Sequence, residues 1–466
     1  MVLTGSEYDV VVLGGGPGGY AAALYGASAG LSVAVVEREK VGGTCLHRGC
    51  VPAKELLETA ALYKAVSGAK DFGIDAGPPS LDLSVSQTRK KKVIDQLWKG
   101  LSGLMKSRGI TTYQATGTLS EPGLVSLDDG GEVRGRSVIL AMGSVPRTLG
   151  GLEVDGKKVL TSDEVLELKE VPERAVVIGG GAIGCEFASL LADMGSKVTL
   201  LEALPQLLLG CDTDVVDVLS RSLRRKGVTV RTNAAVVGQR RDDSSVVLDL
   251  SDGESVEAEA VVVAIGRRPL SDTLASGGSG VKLDERGFVV VDPNMRTSVP
   301  GVWAVGDLVA TPQLAHVGFA EAMVAIRDIL GEDPLPVDYN AVPWCIYTHP
   351  EVAFVGYTEA KAKEAGFDVI VKKDPFGGNS RARILGETDG VVKVIAEKGP
   401  DGSAGRILGV HMVGPWVTEQ LGQAYLSVNW EATPADLAPL VQPHPTLSEA
   451  FGETALALTG RGLHVG

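Results

Sequence analysis

The stretch YDVVVLGGGPGGYAAA, residues 8–23, decides the fold, because a short β-branched strand runs through a glycine-rich turn into an alanine-rich helix. The same order returns in RAVVIGGGAIGCEFAS, residues 174–189. Each copy contains G-x-G-x-x-G and is followed by a second apolar strand that ends in an acid, Glu37 or Glu202, 18 residues beyond the third glycine. One such turn is weak evidence, but two complete copies predict two dinucleotide-binding α/β domains rather than two coincidental glycine turns.

Each glycine of the fingerprint has its own task. The glycines are Gly14, Gly16 and Gly19 in the first copy, and Gly179, Gly181 and Gly184 in the second. The first glycine allows the tight turn, the second lets the backbone approach a pyrophosphate, and the third lets the helix pack against the strand. The phosphates are then expected at a helix N-terminus, where N–H groups and the helix dipole favour negative charge.

The acid after each fingerprint predicts which nucleotide binds. Glu37 and Glu202 are expected to accept hydrogen bonds from a ribose diol. A carboxylate at this place repels a 2′-phosphate, and no Lys or Arg follows Glu202 before Arg221. The second site is therefore expected to bind NAD rather than NADP.

Composition narrows the class of protein. The chain has 466 residues, 44% of them hydrophobic, and a formal net charge of −14. This charge opposes a polyanion and no basic cluster overrides it, so no nucleic-acid partner is expected. No apolar run reaches the roughly 18 residues of a membrane helix, and the N-terminus lacks the basic and apolar regions of a signal peptide. We expect no membrane association and a cytoplasmic location.

Further strand ends divide the chain. SVILAMGSVPR and AVVVAIGRRP are apolar strands that end at Gly143 and Gly266, which we expect to lie at chain crossings between domains and near the cofactors. PGVWAVGDLV delivers Asp307 directly after a glycine, a geometry suited to gripping a polar linker of a cofactor. After residue 343 the pattern changes to alternating strands and amphipathic helices without a fingerprint, which predicts an α+β association domain.

The predicted organisation has four domains. They are a first dinucleotide-binding domain with a cysteine pair at 1–148, a second at 149–269, a central domain completing the first site at 270–338, and an interface domain at 339–466.

The cysteine pair lies in VGGTCLHRGCVPAKELL, where Cys45 and Cys50 are five positions apart. A regular helix would separate their Cα atoms by about 7.5 Å of rise, beyond the usual disulfide limit of about 6.8 Å. Pro52 is tolerated in a first turn, so we predict that regular helix starts near Cys50, after a looser segment. The helix dipole would then favour a Cys50 thiolate, with Lys54 one turn further along the same face.

Three kinds of site compete for this pair. Zinc prefers four ligands, but Cys45, His47 and Cys50 supply three and no second Cys/His cluster follows. A purely structural bridge is uncommon in a reducing cytosol. The pair follows Glu37 by only eight residues, beside the cofactor of the first domain. A redox-active pair is the preferred interpretation, and no metal is expected. The remaining cysteines, Cys185, Cys211 and Cys345, are expected to behave as small buried hydrophobic residues.

From end to end, these motifs resemble those of the pyridine nucleotide–disulfide oxidoreductase family. GGTCLHRGCVPAK is similar to the family's redox-disulfide motif, AVGD around Asp307 to its second FAD motif, and HPTLSEAFGE to its C-terminal catalytic motif. The first fingerprint then corresponds to the FAD site and the second to the nicotinamide site. The resemblance implies an α/β fold with two Rossmann-like domains, one for FAD and one for NAD, and a C-terminal α+β dimerisation domain.

Within the family, WCIYTHPEVAFVGYTE, QLAHVGFAEA and HPTLSEAFGETAL most resemble the branch that oxidises dihydrolipoyl groups of 2-oxoacid dehydrogenase or glycine cleavage complexes with NAD⁺. This implies an FAD enzyme that works as a homodimer, with lipoyl domains as transient partners. One alternative is an NAD(P)H-dependent reductase of another disulfide or of quinones. Another is a non-enzymatic scaffold of a complex, which would have no use for intact catalytic motifs.

The resemblance also implies a role for individual side chains. Cys45 and Cys50 form the disulfide, with Cys45 exchanging with the substrate thiol and Cys50 facing the flavin. His444 is the base, oriented by Glu449, and reaches the disulfide of the opposite subunit. A cis bond between His444 and Pro445 is expected.

Three further positions are carried over with open questions. Lys54 would lie near the flavin with Glu186 as its counter-ion, and His316 either approaches the flavin or merely packs. Close relatives usually carry Asn-Val where this chain has His47 and Arg48. These basic residues could favour the thiolate or contact an acidic substrate, which leaves the lipoyl substrate as the open part of the prediction.

Overall fold

The computed structural model describes residues 7–241, 245–276 and 279–465. Its helices are α1 (Pro17–Ser28), α2 (Gly43–Arg48), α3 (Cys50–Ser67), α4 (Leu83–Ser107), α5 (Ala182–Asp193), α6 (Thr213–Arg225), α7 (Asp272–Ser276), α8 (Ala315–Ile329), α9 (Glu359–Glu364), α10 (Ser380–Leu385), α11 (Val417–Asn429), α12 (Pro434–Leu437) and α13 (Glu449–Leu458).

The strands of the first half are β1 (Glu7–Leu13), β2 (Val33–Glu37), β3 (Thr111–Gln114), β4 (Gly117–Glu121), β5 (Leu124–Leu127), β6 (Glu132–Leu140), β7 (Ser144–Pro146), β8 (Val159–Leu160), β9 (Arg174–Ile178), β10 (Lys197–Leu201) and β11 (Thr229–Arg231). Those of the second half are β12 (Val236–Arg241), β13 (Val246–Leu250), β14 (Ser255–Ala258), β15 (Ala260–Val263), β16 (Arg267–Pro269), β17 (Val302–Ala304), β18 (Trp344–Ile346), β19 (Glu351–Gly356), β20 (Val369–Pro375), β21 (Val391–Lys398) and β22 (Ala404–Gly414).

The chain forms two compact units, each assembled from separate segments. Unit 1 comprises the described residues of Met1–Leu56, Asp82–Arg147 and Gly266–Tyr339, and unit 2 those of Leu57–Leu81, Thr148–Ile265 and Asn340–Gly466. Residues 270–338 thus join the first dinucleotide-binding segment, while the second fingerprint and the C-terminal segment share a unit. The four predicted domain boundaries stay predictions.

Unit 1 is built on a sheet in the order β3-β2-β1-β6-β5-β4, with β17 also paired to β6. Strands β1, β2, β3 and β6 pair in parallel. The central strand β1 contains consecutive apolar residues, because both faces of a parallel sheet are covered by other elements. Accordingly, Val10, Val11 and Val12 are fully buried. On one face α1 and α8 contribute Ala22 and Ile326 to the same core as Val10 and Val12.

Unit 2 contains the second fingerprint and the C-terminal segment. Its parallel sheet has the order β11-β10-β9-β15-β8, and β12-β13-β14 form a separate antiparallel sheet. A further antiparallel sheet, β18-β19-β22-β21-β20, shares a core with residues of α11 and α13. The predicted fold class, two Rossmann-like domains and a C-terminal α+β domain, is confirmed. No helix in the described residues is long and apolar enough to cross a bilayer.

The two predicted chain crossings meet within unit 1. Strands β7 and β16 pair antiparallel, and the Arg147 N–H donates to the carbonyl oxygen of Gly266 at 2.9 Å. Gly143 and Gly266 precede these strands with φ of +73° and +105°, a conformation that favours glycine. The two segments therefore form one two-stranded antiparallel sheet rather than two independent loops.

A buried ion cluster links α6 to the C-terminal antiparallel sheet of unit 2. The Nζ of Lys393, on β21, lies 2.9 Å from Asp212, 2.7 Å from Asp214 and 2.8 Å from Glu359. Burial alone would lower the pKa of Lys393, but the hydrogen bonds to these three carboxylates outweigh it and raise the pKa. Only 2% of the Lys393 side chain is exposed, so the ammonium depends on its protein partners.

Lys393→Met is expected to lower the free energy of unfolding by about 3 kcal/mol, because it leaves the buried Asp212 carboxylate without its cation. Urea unfolding of the holoprotein measures the loss. Lys373→Met is the matched control, since Lys373 binds the same Asp214 at 3.0 Å with half of its side chain exposed, and exposed pairs contribute about 0–1 kcal/mol. Equal losses in the two variants would contradict a special role for the buried lysine.

Candidate active site

The outer glycines of both fingerprints are fixed by sterics. Gly14 and Gly179 have φ of +105° and +108°, and a Cβ there would lie 2.3 Å and 2.4 Å from a backbone oxygen of a neighbouring segment. A Cβ on Gly19 or Gly184 would lie 1.9 Å or 1.8 Å from the carbonyl oxygen of the first glycine of its own turn. These four positions accept no side chain, which is the packing that the spacing predicts.

The middle glycines differ, because they border open space. A Cβ on Gly16 would meet its nearest atom at 3.9 Å, and one on Gly181 would meet nothing within 4 Å. These glycines are also the N-caps of α1 and α5, and neither helix start has a side-chain cap. Backbone N–H groups at an uncapped helix start suit an anion. The two turns therefore fit the pyrophosphates of FAD and NAD.

The acid after each fingerprint also holds its glycine turn. Glu37 accepts hydrogen bonds from the N–H of Gly15 at 2.7 Å and from the N–H two residues beyond itself at 2.8 Å. Glu202 makes the same pair of contacts, at 2.6 Å with Gly180 and at 2.8 Å with the N–H two residues on. A carboxylate has about four acceptor positions, so each acid can still accept from a ribose.

One cation near the second acid was missed by sequence reasoning. The Glu202 N–H donates to the carbonyl oxygen of Arg231, on the adjacent strand β11, at 2.8 Å. The Arg231 guanidinium is bound to Asp252 at 2.6 Å and to Glu254 at 2.7 Å. Two carboxylates neutralise this arginine, so its presence remains compatible with NAD. Arg231 is brought next to Glu202 by the pairing of β11 with β10, which the sequence of the second fingerprint does not predict.

The crossing segments converge on Asp307. Its Oδ2 accepts a hydrogen bond from the Ser144 hydroxyl at 2.6 Å, and the same hydroxyl accepts from Arg267 Nε at 2.7 Å. Arg267 Nη2 also donates to the carbonyl oxygen of Ser144 at 2.9 Å. The residues directly after Gly143 and Gly266 thus orient the Asp307 carboxylate.

Helix α8 begins directly before His316 and contains a second acid. His316 lies exposed in the first turn of α8, and its predicted contact with the flavin stays a prediction. Five residues on, Glu321 is fully buried. Sequence reasoning singled out the histidine and missed the glutamate. The signal was available, because Glu321 is the sole acid in the apolar run AHVGFAEAMVAI.

Two glycines bring the redox motif to the first fingerprint. Gly42 donates its N–H to the carbonyl oxygen of Gly15 at 2.7 Å. A Cβ on Gly43, where φ is +58°, would lie 2.5 Å from the Cα of Gly16. The glycine pair that precedes Cys45 therefore packs backbone against backbone on the FAD-type turn, as the short spacing after Glu37 suggested.

The cysteines lie on either side of a helix break. Helix α2 contains Cys45, Gly49 interrupts it with φ −147° and ψ −109°, and α3 starts at Cys50. The predicted helix start is confirmed, whereas the segment expected to be loose is a short helix. Cys45 is half-buried and Cys50 is exposed, and each carries a thiol. The described residues contain no group of three or more His, Cys, Asp and Glu that could hold a metal.

The two thiols are unequal. The side-chain hydrogen bond with Cys50, followed by burial, raises the pKa of Cys45. Cys50 occupies the first position of α3, where the helix dipole favours a negative charge. Tyr20 lies near both, since burial and the charges of these thiols raise the pKa of its phenol to about 12. Sequence reasoning missed Tyr20, although it directly follows the third fingerprint glycine.

His47 and Arg48 brace the loop before the redox motif. His47 Nε2 is hydrogen-bonded to the carbonyl oxygen of Val41 at 3.0 Å. Arg48 Nη1 donates to Glu39 at 2.8 Å. Both partners lie in the segment that follows Glu37, so these residues connect the end of strand β2 with the cysteine pair.

The C-terminal motif forms a histidine–carboxylate pair in unit 2. His444 Nδ1 lies 3.0 Å from Glu449 Oε2, and the predicted cis bond before Pro445 is present. A carboxylate only accepts, so Nδ1 carries the hydrogen and Nε2 is left to take a proton. Thr446 closes the loop by accepting from the Glu449 N–H at 3.3 Å, and Asn379 Nδ2 donates to the Thr446 carbonyl oxygen at 2.9 Å. With 65% of its side chain exposed, His444 is presented at the surface of unit 2.

Lys54 and Glu186 lie on two different helices. Lys54 lies in α3, one turn beyond Cys50. Glu186, in α5, is buried and accepts a hydrogen bond from the Tyr347 N–H at 2.9 Å. Their predicted ion pair stays a prediction.

The other cysteines differ in burial. Cys185 and Cys211 are buried, and burial raises the pKa of each thiol. Cys345 is half-buried. The first two behave as the buried residues that the sequence predicts, and Cys345 does so only in part.

The sequence matches the profile of the pyridine nucleotide-disulphide oxidoreductases over residues 8–322. The dimerisation domain of the same family matches residues 342–455.

Characterised relatives match almost the whole chain. Dihydrolipoyl dehydrogenase of Bacillus subtilis is 41% identical over 98% of this chain and 99% of its own length. Dihydrolipoyl dehydrogenase of Haloferax volcanii is 37% identical over 99% and 98%. Among solved structures, LpdA of Mycobacterium tuberculosis superposes with a TM-score of 0.89 at 27% identity, over 96% of this chain and 99% of that one. The HOCl-induced flavoprotein disulfide reductase RclA of Escherichia coli gives 0.86 at 27%, over 96% and 99%.

Proposed function

This chain belongs to the pyridine nucleotide–disulphide oxidoreductase family, and on that premise we propose that it oxidises dihydrolipoyl groups with NAD⁺ through FAD and the Cys45–Cys50 pair. The observation that carries the proposal is the hydrogen bond between the thiols of Cys45 and Cys50, on either side of the break between α2 and α3, in a segment that Gly43 packs against the first fingerprint. The dihydrolipoyl substrate is supported by the relatives that share 36–41% of their residues with this chain.

FAD and NAD are the cofactors. The first fingerprint with Glu37 and Asp307 would hold FAD, and the second fingerprint with Glu202 would hold NAD. When bound, FAD accepts the electron pair of the reduced thiols, and NAD⁺ receives it as hydride. Gly143, Gly266 and His316 complete the proposed FAD surroundings.

The protein's side chains carry the thiol chemistry. A substrate thiol gives its proton to His444 Nε2, and its sulfur bonds to Cys45 Sγ while the Cys45–Cys50 bond breaks and Cys50 leaves as thiolate. The second substrate thiol then attacks the first substrate sulfur and displaces Cys45, and its proton passes to the leaving Cys45 sulfur. The products are a lipoyl disulfide and the reduced cysteine pair, so two electrons have moved from substrate to protein.

Other residues support these steps. Glu449 keeps the His444 ring oriented and stabilises it when it is protonated. Lys54, one turn beyond Cys50, supplies a positive charge beside the flavin, with Glu186 as its counter-ion. His444 of one subunit acts on the disulfide of the other, which makes the active site a property of a homodimer.

The proposal extends to assembly and compartment. The matched dimerisation domain supports a homodimer, with lipoyl domains of 2-oxoacid dehydrogenase or glycine cleavage complexes as transient partners. A cytoplasmic location is supported by Cys185, Cys211 and Cys345, which form no disulfide, as is usual in a reducing compartment.

The purified holoprotein is expected to reduce NAD⁺ with dihydrolipoamide. Its kcat/KM for NADP⁺ should be lower than its kcat/KM for NAD⁺ by a factor of about 100 or more, because Glu202 repels a 2′-phosphate. Steady-state absorbance at the nicotinamide band measures both. Glu202→Gln is the matched variant, since it removes the charge and keeps one acceptor for the turn, and it should narrow the preference. Equal use of both coenzymes would contradict the NAD assignment. Turnover of glutathione disulfide or a quinone, without turnover of lipoamide, would favour the alternative reductase.

A further inference from the structure

The turn that carries Asp307 is held by a fully buried acid. Glu321 Oε2, on α8, accepts a hydrogen bond from the Gly306 N–H at 2.6 Å. Gly306 directly precedes Asp307 and has φ of +71°. This N–H is therefore the point at which α8 fixes the direction in which the chain enters Asp307.

Further donors keep this acid in place. The Tyr339 hydroxyl donates to Glu321 Oε1 at 3.0 Å, and the Thr311 side chain is also hydrogen-bonded to the carboxyl. Burial raises the pKa of Glu321 to about 7, while these donors act in the opposite direction. A buried carboxyl is costly unless hydrogen-bonded, and these partners are the compensation that unit 1 provides.

Helix α8 is itself fixed against the first fingerprint. A Cβ on Gly318 would lie 3.3 Å from the backbone nitrogen of Gly18 and 3.5 Å from the Cα of Gly306, and one on Gly18 would lie 3.7 Å from the backbone nitrogen of Gly306. The start of α1, the turn at 305–307 and α8 therefore meet at backbone distance. An acid on α8 that binds the turn sets the position of Asp307 relative to the pyrophosphate turn.

We propose that Glu321 is a positioning residue for FAD, which holds the Gly306 turn so that Asp307 presents its carboxylate to the polar linker of the cofactor. This inference rests on the proposed role of Asp307 in the FAD site. Ser144 and Arg267 orient the carboxylate itself, and Glu321 fixes the backbone beneath it. The two supports act on different atoms, so the loss of Glu321 moves the turn while the Ser144 contact remains available.

The same helix offers a matched control. Asp328 is also buried on α8, and its carboxylate binds Arg296 at 2.6 Å and the Trp303 ring N–H at 2.9 Å. None of these contacts involves backbone atoms of the turn at Gly306. Asp328→Asn therefore tests whether the loss of any buried charge on α8 is sufficient.

The experiment measures FAD release from purified holoprotein, as free flavin in an ultrafiltrate over time, for Glu321→Ala, Glu321→Gln, Asp307→Ala and Asp328→Asn. Glu321→Ala should release FAD about tenfold faster or more, because the Gly306 N–H loses its acceptor. Glu321→Gln should stay nearer the parent, since its carbonyl oxygen can still accept from Gly306. Asp307→Ala should release FAD faster than the parent protein. The rate of FAD release from Asp328→Asn should stay within about twofold of the parent's rate.

The outcomes separate the two levels of the proposal. If Asp307→Ala releases FAD quickly and Glu321→Ala behaves as the parent, the role of Glu321 is refuted and the FAD site stands. If Asp307→Ala also behaves as the parent, the proposed FAD site itself is refuted. If Asp328→Asn releases FAD as fast as Glu321→Ala, with equal losses in unfolding temperature, Glu321 is merely structural. Should Glu321→Ala fail to fold, Glu321→Leu takes its place, because it fills more of the buried volume and also removes the acceptor of the Gly306 N–H. FAD release from that variant at the parent's rate would refute positioning.

Discussion

Cys50→Ser is expected to reduce dihydrolipoamide oxidation by about 10³-fold or more, because loss of a covalently acting residue removes the pathway rather than slowing it. A serine oxygen cannot form the disulfide with Cys45 that accepts the substrate's electrons. The substitution exchanges one atom at the exposed start of α3, so FAD binding and the fold should persist. The measurement is turnover of dihydrolipoamide with NAD⁺.

The spectrum distinguishes Cys50 from its neighbour. Anaerobic dihydrolipoamide should give the parent protein the long-wavelength absorption of a thiolate beside flavin, and Cys50→Ser should lack it. Cys45→Ser is the matched control: it should be equally inactive, yet show that absorption without any reductant, because Cys50 remains as a thiolate. If the absorption survives in Cys50→Ser and disappears in Cys45→Ser, the roles assigned to the two cysteines are reversed.

His444→Gln is expected to lower kcat/KM for dihydrolipoamide by about 10²- to 10⁴-fold, the usual contribution of a positioned general base. The substrate thiol must lose its proton before its sulfur attacks Cys45, and Nε2 of His444 is the acceptor that Glu449 leaves available. NADH oxidation by ferricyanide requires no thiol proton transfer. That second activity should therefore stay close to the parent value.

Glu449→Gln provides the graded comparison. Its amide oxygen can still accept from Nδ1 at the position of the 3.0 Å contact, but it no longer stabilises the charged ring, so a smaller loss than in His444→Gln is expected. A loss below tenfold in His444→Gln, or equal losses in the ferricyanide reaction, would assign the base elsewhere.

Much of this site could be predicted because its parts are local in sequence. The G-x-G-x-x-G turns specify their own sterics, and the proline at 52 marks the start of α3. The His444–Glu449 pair lies within one loop and one helical turn. In each case the residues that interact are close along the chain, so spacing alone limits the geometry.

The residues that were missed act across long separations. Glu321 reaches Gly306 and Tyr339 through the packing of α8, and Arg231 reaches Glu202 through strand pairing. Neither contact has a fixed spacing, so a motif cannot encode it. His47 and Arg48 show the opposite difficulty, because their charge suggested a part in catalysis whereas their contacts support the neighbouring loop.

The double use of Glu202 has a consequence for protein engineering. A designer who wished to convert the coenzyme preference would remove this acid and add a cation, as in any ribose pocket. Here the Glu202 carboxylate also accepts hydrogen bonds from the N–H groups of Gly180 and Leu204. Its removal would therefore leave two backbone donors without an acceptor. A successful redesign would have to supply a new acceptor for the glycine turn along with the new charge. In the proposed site, the choice of coenzyme and the stability of the glycine turn therefore depend on the same side chain.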